Sequence, residues 1–157
     1  MSDVLLVNTP YRDTCSNTRF EENLGLLYIE ASLKEKGYKT TIIDGLAYNL
    51  TYEHVVKEIL NNLPSIFIGF SAYADNIKNT INIARALRNH GYKGHIVTGG
   101  MWAGFKHREI LSQIKEIDSV CVGEGEELAV ELAEAISEGK DTANIPGLAT
   151  RNNNIIF

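Results

Sequence analysis

Short apolar runs rich in β-branched residues alternate with longer amphipathic segments along almost the whole chain, and few folds accept that rhythm. The runs are residues 4–7, 40–43, 66–70, 95–98 and 119–122. Each is too apolar to leave one side wet, which points to strands of a parallel sheet covered on both faces. The segments between them have helical spacing and recognisable ends. Leu24, Leu27, Tyr28 and Ala31 share a face before Gly37, with Lys34 and Lys36 in the last turn. Residues 52–62 present Val55, Val56, Ile59 and Leu60 before Pro64, and residues 77–89 present Ile77, Ile81, Ala84 and Leu87 before Gly91. A shorter helix is expected over 107–113 and a stronger one over 126–137, where Glu126 and Glu127 suit the positive N-terminal end.

Strands alternating with helices predict a three-layer α/β/α domain of flavodoxin-like or Rossmann-like type, with five parallel strands in the order 2-1-3-4-5. After Pro146 the pattern changes. Residues 147–151 and 155–157 flank Asn152-Asn153-Asn154, which reads as a C-terminal β-hairpin, an edge ribbon or the start of a linker.

A chain of 157 residues, 44% hydrophobic and 22% charged, can bury one ordinary core. The net charge is −5 and the 15 Lys and Arg form no run, which argues against nucleic acid as a partner. No apolar stretch approaches the roughly 20 residues of a membrane span. Met1-Ser2-Asp3 leads straight into a strand, so a cytoplasmic protein without a membrane partner is expected. Cys15 and Cys121 are far apart and suit reduced thiols, and two thiols cannot supply a three-thiolate iron-sulfur site.

In sheets of this kind ligands bind outside the carboxyl ends of the strands. The loops there are Asn8-Thr9-Pro10-Tyr11, Ser71-Ala72-Tyr73, Gly99-Gly100-Met101-Trp102 and Gly123-Glu124-Gly125-Glu126. Gly99-Gly100 makes either a tight turn or a gap where a ligand nears the backbone. Ser71 is either a turn cap or a hydroxyl that meets a buried heteroatom. Glu124 and Glu126 either cap helix amides or accept hydrogen bonds from a polar, uncharged ligand, and they disfavour a pyrophosphate. Tyr11, Tyr73, Met101 and Trp102 supply apolar surface for packing or for a ligand wall.

Taken together, Asn23-Leu24-Gly25-Leu26-Leu27-Tyr28, Gly37-Tyr38, Ile43-Asp44-Gly45, Gly69-Phe70-Ser71, Thr98-Gly99-Gly100, Val122-Gly123-Glu124-Gly125-Glu126 and Ile145-Pro146-Gly147-Leu148 form an ordered set. In order and spacing that set resembles the N-terminal cobalamin-binding domain of cobalamin-dependent radical SAM proteins, such as those like magnesium-protoporphyrin monomethyl ester cyclase. The resemblance implies a cobalamin-binding domain over 1–146, followed at 147–157 by the hairpin or the start of a linker to a radical SAM domain. It implies cobalamin held with its dimethylbenzimidazole tail off the cobalt and inserted beside the sheet. Ser71 and Ala72 would then stand near the base, Gly99 and Gly100 would make room for the tail, and Thr9, Pro10, Tyr11 and Tyr73 would lie near the corrin. Met101, Trp102, Gly123, Glu124 and Gly125 would complete the rim. S-adenosylmethionine and the 4Fe-4S cluster would belong to the parent protein. The parent would catalyse methyl transfer or radical cyclisation, and this chain would bring no catalytic residue and no metal ligand.

Corrinoid methyltransferase and mutase modules carry Asp-x-His-x-x-Gly after the first strand, with the His on cobalt. Here residues 13–18 read Asp13-Thr14-Cys15-Ser16-Asn17-Thr18, with Cys and Thr in place of His and Gly. None of His54, His90, His95 and His107 falls in such a motif. A signalling receiver domain would need an acidic pair after the first strand and an Asp after the third, where Asn8-Thr9 and Ser71 stand instead. The remaining alternative is a flavodoxin-like interaction domain without a ligand.

Overall fold

The computed structural model describes residues 2–11 and 23–151. Strand β1 spans Val4–Asn8, helix α1 Leu24–Glu35, β2 Thr40–Asp44, α2 Tyr52–Asn61, β3 Phe67–Ser71 and α3 Ile77–Asn89. They are followed by β4 His95–Gly99, α4 Met101–Phe105, α5 His107–Gln113, β5 Ser119–Cys121, α6 Glu126–Ser137, a 3-10 turn Thr142–Asn144 and β6 Leu148–Thr150. Among the described residues no helix is long and apolar enough to cross a membrane.

The sheet order is β2-β1-β3-β4-β5-β6, so the expected order 2-1-3-4-5 holds for the parallel part. Central β1 pairs β3 in register from Val4 with Phe67 to Asn8 with Ser71. Strand β4 continues the layer with Ser71 opposite Gly99. The carboxyl ends of β1, β3 and β4 therefore finish level.

Among the described residues the sheet has the five expected parallel strands and an antiparallel sixth. Leu148–Thr150, the first arm of the expected hairpin, lies antiparallel on β5, with Ser119 opposite Thr150 and Cys121 opposite Leu148. Val122 N–H donates to the Gly147 carbonyl at 2.8 Å where the chain comes back. The pairing covers an outer edge of β5 that would otherwise carry unpaired N–H and C=O groups. The expected second arm, 155–157, lies outside the described residues.

Two apolar cores lie on opposite faces of the sheet. On one, Leu5, Val7, Ile68, Phe70, Ile96 and Val120 meet α2, α3, α4 and α5. On the other, Val4, Leu6, Phe67, Val97 and Cys121 meet α1 and α6. Asn23 starts α1, with its side-chain oxygen accepting from Leu26 N–H at 3.2 Å. The segment of residues 100–106, expected as a strand-end loop, contains a short helix, so Met101 and Trp102 are helical.

Candidate functional site

Side chains alternate across each strand, and that alternation builds the site. On β3, Phe67, Gly69 and Ser71 point toward α1 and α6, while Ile68 and Phe70 fill the opposite core. Gly69 on β3 and Gly99, two residues beyond its partner Val97 on β4, put hydrogen where other strand residues put carbon. A Cβ at 69 would stand 3.1 Å from Leu6 Cδ2, and one at 99 would stand 3.3 Å from Cys121 Cβ. The space left free is a slot of about 520 Å³ between this face of the sheet, α1 and α6, rimmed by the loops at the carboxyl ends of the strands. Small-molecule sites commonly have roughly 300–1,000 Å³.

Of the residues predicted from sequence, Ser71, Tyr73, Gly99, Gly100, Met101, Gly123, Glu124 and Gly125 line this slot. Gly100 has φ +101° and ψ 158°, a region essentially reserved for glycine, and a Cβ there would be 2.8 Å from the Ala72 carbonyl oxygen. Met101 is 77% exposed, so it offers apolar surface at the rim rather than filling a core.

Thr9, Pro10, Tyr11, Ala72 and Trp102 stand elsewhere. Thr9 is buried, its hydroxyl 3.0 Å from that of Thr80, and its carbonyl accepts from Asn76 Nδ2 at 3.3 Å. The Pro10 carbonyl accepts from Asn79 Nδ2 at 3.0 Å, so this loop is tied to α3. Tyr11 is exposed beside the loop. Ala72 is buried in the opposite core, and Trp102 packs against that same core. Residues 13–18 lie outside the described residues.

Several lining residues were not singled out from sequence as site residues: Asn23, Ile29, Gly104, Phe105 and Cys121. An Asn directly before an apolar helical run is a capping signal, and it could have marked Asn23. Nothing in the sequence says that a capping residue will also face β3. Asn23 Nδ2 donates to Ser71 Oγ at 3.1 Å, so Ser71 is held by a helix start and is not itself the cap of α3. The α3 cap position belongs to Asn76, whose Oδ1 accepts from Tyr73 N–H at 2.7 Å.

The slot is walled mainly by apolar side chains with a few polar groups among them. Leu6, Phe67, Val97, Leu128 and Leu132 wall it, while Asn23, Ser71, Glu124 and Glu126 bring heteroatoms. Burial, assisted by Glu126 and Glu124, pushes the Cys121 thiol up to about 11. At neutral pH it is therefore a protonated, weakly polar part of the wall. Among the described residues no group of three or more His, Cys, Asp or Glu could hold a metal ion. His107, the histidine nearest the strand-end loops, donates from Nδ1 to the Gly104 carbonyl at 2.7 Å.

A doubly wound sheet with an apolar slot at its carboxyl edge has the architecture in which small-molecule sites commonly form. The comparisons name the ligand class. The family described as B12 binding domain matches residues 18–133. An uncharacterized methyltransferase of Pyrococcus horikoshii is 32% identical over 130 residues, which are 83% of this chain and 28% of that protein. The anaerobic magnesium-protoporphyrin IX monomethyl ester cyclase of Synechocystis sp. is 27% identical over 157 residues, covering 98% of this chain and 32% of the cyclase. Among solved structures, the radical S-adenosylmethionine methyltransferase TsrM of Kitasatospora setae, with cobalamin and a 4Fe-4S cluster bound, superposes with a TM-score of 0.75 at 23% identity, over 96% of this chain and 27% of that one. The cobalamin-dependent S-adenosylmethionine radical enzyme OxsB, with aqua-cobalamin and S-adenosylmethionine bound, gives 0.81 at 20% identity, over all of this chain and 22% of that one.

The chain belongs to the B12 binding domain family, and the resemblance read from its sequence is borne out. It spans about a third or less of the length of these relatives.

Proposed function

We propose that this chain is the cobalamin-binding module of a radical SAM enzyme and that it holds cobalamin base-off, with the dimethylbenzimidazole tail in the slot between the sheet and helices α1 and α6. The observation that carries the reading is the pair Gly69 and Gly99, whose missing side chains leave room on the apolar slot's sheet wall. A flat aromatic base suits apolar walls, and its nitrogen suits the single hydroxyl of Ser71. The corrin would lie over the rim, against Tyr73, Met101 and the exposed Phe105. Glu124 and Glu126 can accept hydrogen bonds from the amide groups around such a ring.

When bound, cobalamin supplies a cobalt centre able to carry a methyl group or take part in a radical step. The residues of this chain bind it, orient it and exclude water from its tail. In the parent, which would carry S-adenosylmethionine and a 4Fe-4S cluster on a C-terminal radical SAM domain of the same polypeptide, the outcome would be methyl transfer or radical cyclisation. Residues 1–146 would form the binding domain, with the chain after Pro146 leading toward that partner and β6 sealing the sheet on the way. No residue of the chain is assigned to cobalt, because Asp13-Thr14-Cys15 lacks the His of the ligating motif.

The test is a titration of the chain with hydroxocobalamin followed by visible absorption. Saturable binding with a base-off spectrum supports the proposal, and a protein that shows no saturable change contradicts it.

A further inference from the structure

We propose that Asn23 is a positioning residue for the slot: by donating to Ser71 it commits the Ser71 hydroxyl proton to the ligand, so that the slot presents a donor and takes a tail with an acceptor nitrogen. This rests on the reading that the corrinoid tail enters the slot. The two ends of the Asn23 amide differ chemically. Its oxygen accepts from Leu26 N–H at 3.2 Å, and a backbone N–H can only donate. The end that faces Ser71, 3.1 Å away, is therefore the NH2 group, which also can only donate. Helix α1 thus fixes the orientation of the amide, and the amide fixes the role of the hydroxyl.

With Oγ occupied as an acceptor, the Ser71 proton must point elsewhere. Ser71 is only 7% exposed and lines the slot, on the same side of β3 as Gly69. Its main-chain carbonyl is already satisfied by Asn76 Nδ2 at 3.2 Å. Further back along the slot the side chains of Leu6, Phe67 and Val97 are apolar and offer no acceptor. A buried hydroxyl proton without a partner is costly, and a ring nitrogen whose lone pair has left cobalt is a matching acceptor. A base that offered only a donor, or a ring with no acceptor atom, would leave the proton unpaired.

The experiment compares the affinity of the 157-residue chain for hydroxocobalamin with that for cobinamide, which lacks the nucleotide tail. Asn23→Asp keeps the helix cap but turns an acceptor oxygen toward Ser71, so the hydroxyl proton swings away from the slot. Cobalamin affinity should fall about tenfold while cobinamide affinity holds. Asn23→Ser also keeps a cap and removes the contact without reversing it, so it should lose only about two- to threefold. In a Ser71→Ala background Asn23→Asp should add no further loss, the coupling expected if it acts through the hydroxyl. Unchanged melting temperatures would show that the cap survived. An unaltered cobalamin-to-cobinamide ratio in Asn23→Asp, or an equal loss with Ser71 absent, would overturn the proposal. Wild-type chain that bound cobinamide as tightly as cobalamin would instead overturn the placement of the tail itself.

Discussion

The two faces of β3 are made from consecutive residues, yet one is closed and the other open. Ile68 and Phe70 lie in a core with Leu5, Val7, Ile96 and Val120, and α2 and α3 lock onto them through Val55, Ile59, Ile83 and Leu87. One residue along, Gly69 and Ser71 look into the slot beneath α1 and α6. The contrast teaches that a period of two lets one strand carry stability on one side and ligand room on the other. Changes at adjacent positions should therefore separate the two properties.

The largest effect is expected on the closed face. Ile68 is fully buried, so Ile68→Ala should cost about 4 kcal/mol in urea unfolding, while cobalamin affinity of the folded fraction stays unchanged. Next is Gly100→Ala at the rim. Its φ of +101° and the 2.8 Å approach of a Cβ to the Ala72 carbonyl should cost roughly 2–3 kcal/mol of stability, so weaker binding there would report strain as well as lost room. Gly99→Leu is the cleaner probe of the open face, because its φ is ordinary and its side chain would enter the slot. Cobalamin binding should weaken at least about tenfold, or roughly 1.4 kcal/mol, with a smaller change in unfolding midpoint.

The smallest effect sharpens the comparison from the amino ends of the strands, away from the slot. There Arg88 donates to Asp118 at 2.6 Å and to the Tyr92, Gly94 and Glu116 carbonyls, while His95 Nε2 lies 2.7 Å from Ser119 Oγ. Burial holds His95 below the ordinary histidine range, opposed by Asp118 and reinforced by Arg88. The unfolded chain therefore takes up a proton that the folded chain resists. The stability contributed is full above about pH 6.5 and is lost as pH falls toward the lowered value. His95→Gln should flatten that slope in urea titrations between pH 8 and pH 5, and an unchanged slope would assign it to other groups.

Much of this architecture is legible in the sequence. The β-branched runs locate the five parallel strands to within a residue or two, because strands buried on both faces tolerate little else. Helix α4 was not legible, since Met101-Trp102-Ala103-Gly104-Phe105 is too short for a period to show. The pairing of Leu148–Thr150 with β5 was not legible either, because an apolar triplet does not name its partner. Glycines at 99 and 100 pointed to the site because loss of side chains at a strand end is visible in the sequence. Leu6, Phe67 and Val97 did not stand out, since which core an inward residue lines depends on where α1 and α6 settle. The same limit explains Thr9 and Pro10, which sit at a strand end but spend their hydrogen bonds on α3.

The most direct test is a crystal structure of the chain grown with hydroxocobalamin. Density for the detached base is expected between Gly69 and Gly99 of the sheet and the start of α1, within hydrogen-bonding distance of Ser71 Oγ. A corrinoid bound with its base still on cobalt, or seated elsewhere while side chains close the slot, would contradict it.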